Sequence, residues 1–413
     1  MHPATYGGPP LHPADRLFNF LGHRHAVANI IERLFTFVDS PRERPWVAMG
    51  ALGIFILLGA AWINQAQVLP GVSVSETGLS DPIVDIIWDE DGDQALALVE
   101  DGLSMKLMIR DAGGTWSVLD CSCNVTAIGG TESQWVAGGE DGWIGIMGAG
   151  SPNIAPRSLN WPDSPPDIIS LDGDIDNGWL IVENGGTRTV HTWSGLSVSN
   201  GTSYPISSIV MDEVEVVLGG ALIIGHDTMG SNPALGKASS EVLIDAAGGS
   251  GGVPQLVLLH RGAGTPFHTI ISMDDSSFIA IVGGGDAIYG VTMERNVHRI
   301  AGSIGVSSIA IDSGGMLWFK GENGLSNMEI GDSKATLVIC PDGAPSDLTS
   351  AASSGDNIVM FSEDGSTRVT IDPAAQHSLL RSLSLLGDLI LVLTFVAFVG
   401  FGGHALLRKH DVL

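Results

Sequence analysis

The chain has 413 residues, 55 of them glycine, with 16% charged residues and a formal net charge of −27. That much glycine without a Gly-X-Y period excludes a collagen-like rod and points to a turn-rich β structure with a large core. Residues 65–380 hold 11 Lys/Arg against 40 Asp/Glu, a balance of −29 that repels nucleic acid and anionic lipid headgroups and suits a cationic partner or simply a well-hydrated surface.

In chain order, residues 1–45 read as a cytoplasmic segment. Leu17, Leu21, Ala28, Ile31, Leu34, Phe35 and Val38 recur there at near-helical spacing, with Arg24 and Arg33 among them, which predicts an amphipathic helix on a membrane surface or a partner. Trp46 to Ile63 is an 18-residue stretch without a charge, and it predicts a transmembrane helix over 46–64. Its distance from Met1 favours an uncleaved signal anchor over a cleaved signal peptide. A second apolar run, Leu389 to Leu407, predicts another span over 385–407, followed by a short tail at 408–413. Arg16, Arg24, Arg33, Arg42 and Arg44 precede the first span, no Lys or Arg follows it until Lys106, and Arg408 and Lys409 follow the second. Both spans therefore put the termini in the cytoplasm and residues 71–375 outside a cell membrane.

Between the spans one turn keeps returning: Val99-Glu100-Asp101-Gly102, Glu140-Asp141-Gly142, Val182-Glu183-Asn184-Gly185, Gly321-Glu322-Asn323-Gly324 and Ser362-Glu363-Asp364-Gly365. The glutamates at 100, 140 and 183 are 40 and 43 residues apart, and those at 322 and 363 are 41 apart. The stretch from Ile279 to Asp286 supplies another copy. The 100 residues from 183 to 283 hold one more, near Leu222 to Gly225, enlarged by about 18 residues. That makes seven units, each opening with a small apolar strand: 84–87, 126–130, 167–170, 207–210, 268–271, 307–311 and 348–352. About 40 residues per four strands is the period of a β-propeller blade, so the expected fold is an all-β, seven-bladed propeller flanked by one transmembrane helix at each end. The last unit lacks a strand, and Val72 to Ser75 is a spare one that can complete it, bringing the two spans side by side. The Glu/Asp-Gly turns then lie on the face away from the membrane.

The stretch from Ser308 to Leu325 resembles the two-component-regulator type of propeller repeat, on Asp312, Gly315, Leu317, Trp318, Gly321, Gly324 and Leu325, with Lys320 where that family has a small residue. The resemblance covers one blade well and the others loosely, and it implies the fold without a function. WD40 dipeptides and the quinoprotein tryptophan pattern are not evident.

Glu100, Asp101, Glu140, Asp141, Glu183, Glu322, Glu363 and Asp364 form an expected distal acidic rim, a candidate binding surface, although Asp, Asn and Gly are also what such turns require. Asp89, Asp91 and Asp93, and Asp172, Asp174 and Asp176, place carboxylates two apart, as calcium sites do, yet both sets fall where a blade needs its first turn. No other cofactor is expected. Asn124 and Asn200 open N-glycosylation triplets. Cys121, Cys123 and Cys340 admit one disulfide without saying which pair forms. No G-x-S-x-G adjoins His191, His226, His260, His268 or His298. The first strands, read as Ile, Val, Ala and Ser, offer no convergent polar set. The expectation is a non-enzymatic, membrane-anchored platform for a protein or glycan, in a larger membrane complex through its helices. The alternative is a propeller enzyme or sensor with a ligand in its central channel.

Overall fold

The computed structural model describes Gly50, residues 52–59 and residues 71–409, apart from 122, 229, 233–236, 249–251, 274–276, 285–286, 303–307, 322–323, 331–334, 338–347 and 378. The chain divides into two compact units, Val68–Ser378 and a second built from Met1–Gln67 with Leu379–Leu413.

The first unit contains seven four-stranded antiparallel sheets. Blade 1 runs from Ile83 to Val118, blade 2 from Val125 to Arg157, blade 3 from Asp167 to Val198, blade 4 from Ile209 to Gly262, blade 5 from Phe267 to Gly302 and blade 6 from Ile309 to Leu337. Blade 7 takes three strands from Leu348 to Ile371, and its fourth is Val72–Glu76 from the start of the unit. Val72 pairs with Ile371 and Glu76 with Thr367, so the spare strand closes the ring as expected. Asp372 N–H donates to the Gly71 carbonyl at 3.0 Å where the chain arrives and leaves, at the opposite end of this strand pair from the Glu363-Asp364-Gly365 turn.

The sequence of each second strand follows from its position. Leu96–Leu98, Trp135–Ala137, Leu180–Val182, Leu222–Ile224, Ala280–Val282, Leu317–Phe319 and Ile358–Phe361 are all at most 2% exposed. Both faces of these strands are covered, which is why they read as continuous apolar runs and not as alternating ones. The covering comes from neighbouring blades, because each of the seven apolar clusters joins two blades adjacent in the ring. The last seam sets Val359 and Phe361 of blade 7 against Ile83, Ala97 and Val99 of blade 1.

The first strands of the blades touch one another in sequence around the ring and so surround its axis. In blades 1 to 5 and 7 a register shift interrupts the pairing of first and second strands near the start of the blade, for example between Ile83 and Asp85 and between Met211 and Glu213. A bulge of this kind increases local twist and re-aims the following side chains. The enlargement expected in blade 4 is a separate hairpin, Gly230–Asn232 paired with Lys237–Ser239, between its second and third strands. The first strand of that blade is Ile209–Val217, later and longer than the expected 207–210, and it carries Glu213 and Glu215.

In the second unit, residues 52–59 are helical and Leu379–Lys409 is a 31-residue helix. A Cβ at Gly59 would lie 2.4 Å from Leu391, and one at Gly53 would lie 4.0 Å from Phe398, so the two helices pack antiparallel through small residues. Several side chains of Leu379–Lys409 lie outside the described residues, and among those described no helix is long and apolar enough to cross a membrane. The expected amphipathic helix within residues 1–45 also lies outside them, as do Glu322 and Cys340.

Candidate functional site

The recurring turns occupy equivalent places, joining second to third strands in blades 1, 2, 3, 6 and 7. Gly102, Gly185 and Gly365 have φ of 67°, 58° and 70°, the left-handed conformation that tight hairpins need and that glycine adopts freely. Around them the rim carboxylates differ in employment. Asp101 shares Lys106 with Asp81, at 3.4 and 2.7 Å. Glu183 binds Arg188 at 3.0 Å, and the same guanidinium reaches Asp212 and the Met211 carbonyl of blade 4 at 2.7 and 2.8 Å. Hydrogen bonds from Ser362 and Ser366 hold the Asp364 carboxyl down at about 2. Glu100, Glu140, Asp141 and Glu363 are exposed.

The turn of blade 2 departs from this pattern. Asp141 itself has φ 54° and ψ 31°, and besides Arg295 it is the one described non-glycine residue with positive φ. Its N–H donates to Asp167 Oδ1 of blade 3 at 3.0 Å, while Glu140 Oε2 accepts from Asn124 Nδ2 at 2.7 Å. Gly142 follows with φ 68° and is buried, and a Cβ there would lie 2.6 Å from Trp161 Nε1 and 2.7 Å from Pro165 Cβ. Glycine therefore allows the loop between blades 2 and 3 to close onto the hairpin.

Beside this contact lies a cavity of about 560 Å³, whose lining includes Asn124, Glu140, Asp141, Trp143, Arg157 and Trp161. Both tryptophans are half-buried. The Arg157 guanidinium is engaged by the Ile175 carbonyl. A further cavity of about 280 Å³ is also lined by Trp161, with Asp163, Thr187, Thr189 and His191. The His191 ring meets Trp161 edge to face at 5.8 Å. His191 Nδ1–H donates to the Ser199 carbonyl at 2.9 Å, which leaves Nε2 to accept from the Thr189 hydroxyl at 3.0 Å, and burial pushes the imidazole pKa down. Cys123, also on the lining of the larger cavity, is bonded to Cys121 in a disulfide with Cα atoms 5.2 Å apart.

The other candidates have local structural employment. Asp89 Oδ1 accepts the N–H groups of Asp93 and Gln94, and Asp174 Oδ1 accepts those of Asp176 and Asn177, so these carboxylates cap the first turns of blades 1 and 3. Among the described residues no group of three or more His, Cys, Asp or Glu side chains could hold a metal ion. Asn124 and Asn200 are both exposed.

The expectation that the first strands carry no convergent polar residues is corrected by the structure. Asp85 of blade 1, Asp172 of blade 3 and Glu213 and Glu215 of blade 4 all stand on first strands. Glu213 is raised well above the usual carboxylate range, by burial and then by the charges of Asp85, Glu215, Asp172 and Asp212. Blades 1, 3 and 4 are not all neighbours, so these charges meet across the axis. Burial, aided by Asp172, raises Asp85 to about 6. Burial raises Asp172 to about 6 against the N–H groups of Val216, Gly173 and Gly130, and it raises Glu215, which also feels Asp172, to about 8. The carboxylates reach water in the channel, Asp85 most of all, yet protein surrounds them laterally. Two of them also stitch the ring: Asp172 accepts the Val216 N–H at 2.6 Å and Glu215 the Ser272 N–H at 3.0 Å. Glu213 and Glu215 lie just beyond the expected 207–210 strand, and their alternation with Val214 and Val216 is the signal that could have placed them.

No protein-family model and no curated protein sequence matches the chain. Solved propellers do match in shape. A YCF48 structure with bound D1 peptide aligns with TM-score 0.52 at 13% identity, over 73% of this chain and 95% of its own. Streptogramin B lyase aligns with TM-score 0.52 at 12% identity, over 73% and 98%. The WD40 propeller domain of Doa1 aligns with TM-score 0.50 at 14% identity, over 74% and 99%. At such identities the likeness speaks for the fold alone: residues 72–371 form a seven-bladed β-propeller.

Proposed function

We propose that the chain is a membrane-anchored, extracytoplasmic propeller without catalytic activity, serving as an interaction platform for a protein partner through its distal hairpin face and as a subunit of a membrane complex through its helices. The observation that carries this reading is the cavity beside Glu140-Asp141-Gly142, where half-buried tryptophans and exposed carboxylates meet on a hairpin the chain holds in an unfavourable conformation. Residues of that kind, on loops fixed by a rigid scaffold, are typical recognition surfaces.

Anchoring is supported by the uncharged stretches at 46–63 and 389–407 and by the basic residues that flank them. Leu57, Leu393 and Phe395 are 74%, 60% and 53% exposed, a cost in water that lipid removes. Placement outside the cytoplasm is supported by the Cys121–Cys123 disulfide. The similar propellers include one with a bound peptide and one named as a lyase, so the choice between platform and enzyme rests on this chain's own residues.

Crosslinking through carboxylates in native membranes tests the reading, with a variant carrying Ser at Glu140, Asp141, Glu363 and Asp364 as comparison. A protein partner crosslinked to these turns and lost in the variant is expected. Crosslinks confined to other surfaces would reject the distal face. A second reading, a cationic small molecule in the channel, is favoured by Asp85, Asp172, Glu213 and Glu215. It predicts that ligand binding survives in the Ser variant.

A further inference from the structure

We infer, on the platform reading above, that the groove between the blade 2 hairpin and the loop around Trp161 binds an extended peptide segment of the partner, with an arginine or lysine seated between Trp143, Trp161 and the carboxylates of Glu140 and Asp141. Two lines of observation converge on a cationic occupant. The larger cavity is lined by two carboxylates and one guanidinium, and that guanidinium is already engaged by the Ile175 carbonyl. The whole stretch 65–380 carries a balance of −29, so a cation approaching the groove is drawn in from a distance. Half-buried indole rings add cation–π attraction at the site itself.

An extended segment suits the shape better than a lone ion does. Trp161 lines both the 560 Å³ cavity and the 280 Å³ cavity, so a chain can run past it from Glu140 and Asp141 toward Asp163 and Thr187. The hairpin is prearranged for this. Asp141 is fixed by Asp167 through its backbone, which leaves its carboxylate for a ligand, and Glu140 is oriented by Asn124. Gly142 keeps Trp161 against the turn. Little ordering then remains to oppose binding.

The test uses the full-length protein in nanodiscs and calorimetric titration with the peptide Ac-Gly-Arg-Pro-Arg-Gly-amide, its Glu-for-Arg counterpart and maltohexaose. The Arg peptide is expected to bind, and to weaken at least tenfold in Asp141→Asn and in Trp161→Phe. Asn tolerates the same left-handed conformation, so Asp141→Asn removes charge without refolding the turn. Glu90→Gln, in the turn between the first and second strands of blade 1 at the opposite face, is expected to leave affinity unchanged, and Glu100→Gln, on the blade 1 hairpin, to weaken it far less than Asp141→Asn does. Equal weakening by Glu100→Gln would assign binding to the acidic face at large and overturn the groove while leaving the platform standing. Binding of the Glu peptide or of maltohexaose with equal affinity, or no binding of the Arg peptide, overturns the cationic segment. The platform itself is decided separately by crosslinking.

Discussion

The indole N–H of Trp318 donates to Asp312 Oδ2 at 2.9 Å, while the other oxygen of the same carboxylate accepts the N–H groups of Gly314 and Met316, each at 2.9 Å. Trp318 is fully buried and Asp312 is 8% exposed. One side chain thus shapes the first turn of blade 6 and satisfies the polar atom of its largest core residue. Asp312→Ala leaves a buried donor and two turn amides without this acceptor, so a loss of about 2–3 kcal/mol is expected in urea denaturation. Asp312→Asn keeps an acceptor and is expected to lose less. Equal, negligible losses would show that the turn holds without the carboxylate.

This relationship also marks how far the sequence can be read. Asp312, Gly315 and Trp318 are close in the chain, so their motif is visible in the sequence by itself. The same holds for the turns from Glu100 to Gly365 and for the spare strand Val72–Ser75, since repeat period and a missing strand are properties of one dimension. The groove is different: Gly142 stands on the hairpin inside blade 2 and Trp161 in the loop between blades 2 and 3, and only their packing joins them. The channel carboxylates are hidden for a further reason. Asp172 reads as a turn residue, and the bulge between Met211 and Glu213 interrupts the pattern after the expected 207–210 strand, so that clean alternation resumes only over Glu213 to Val216.

The channel carboxylates make stability depend on pH in an unusual direction. A carboxyl whose pKa is raised by folding favours the folded state when protonated. That contribution is complete below the unfolded pKa of about 4. It is lost as pH rises through about 6 for Asp85 and Asp172 and about 8 for Glu215. The thermal midpoint of the propeller is therefore expected to fall between pH 4 and 9. Glu213→Gln removes one of the repelling charges and is expected to add roughly 1 kcal/mol at pH 8, after allowance for water in the channel, and nothing at pH 4. Parallel melting curves for the two proteins at both pH values would contradict mutual repulsion across the axis.

Closure of the ring depends on five residues at the start of the unit, and its failure has a local signature. Val74 pairs with Val369 and packs into the seam between blades 6 and 7. The Val74 N–H faces the open edge of the blade, whereas Ser73 pairs with Thr370 at a hydrogen-bonded position, so Ser73→Pro removes a ladder donor. Hydrogen exchange over 367–371 is expected to quicken roughly ten- to a hundredfold, with 95–101 of blade 1 much less affected. Uniform acceleration through all blades would instead mean that the ring opens as one cooperative unit.

Asp141 offers the sharpest separation of stability from recognition. Its φ of 54° is one that L side chains adopt at a cost and glycine adopts freely. The backbone hydrogen bond to Asp167 does not need the Asp141 side chain, since the Asp141 N–H makes it. Asp141→Gly is therefore expected to be at least as stable as the parent, and Asp141→Ala to fall below Asp141→Gly by about 1 kcal/mol in thermal or urea denaturation. Both variants lack the carboxylate and are expected to lose the Arg peptide alike. If Asp141→Gly were instead clearly destabilised, the side chain would have a structural role that its contacts do not reveal. If it is stabilised and silent toward the peptide, the chain keeps a strained residue on this hairpin because the groove needs its charge.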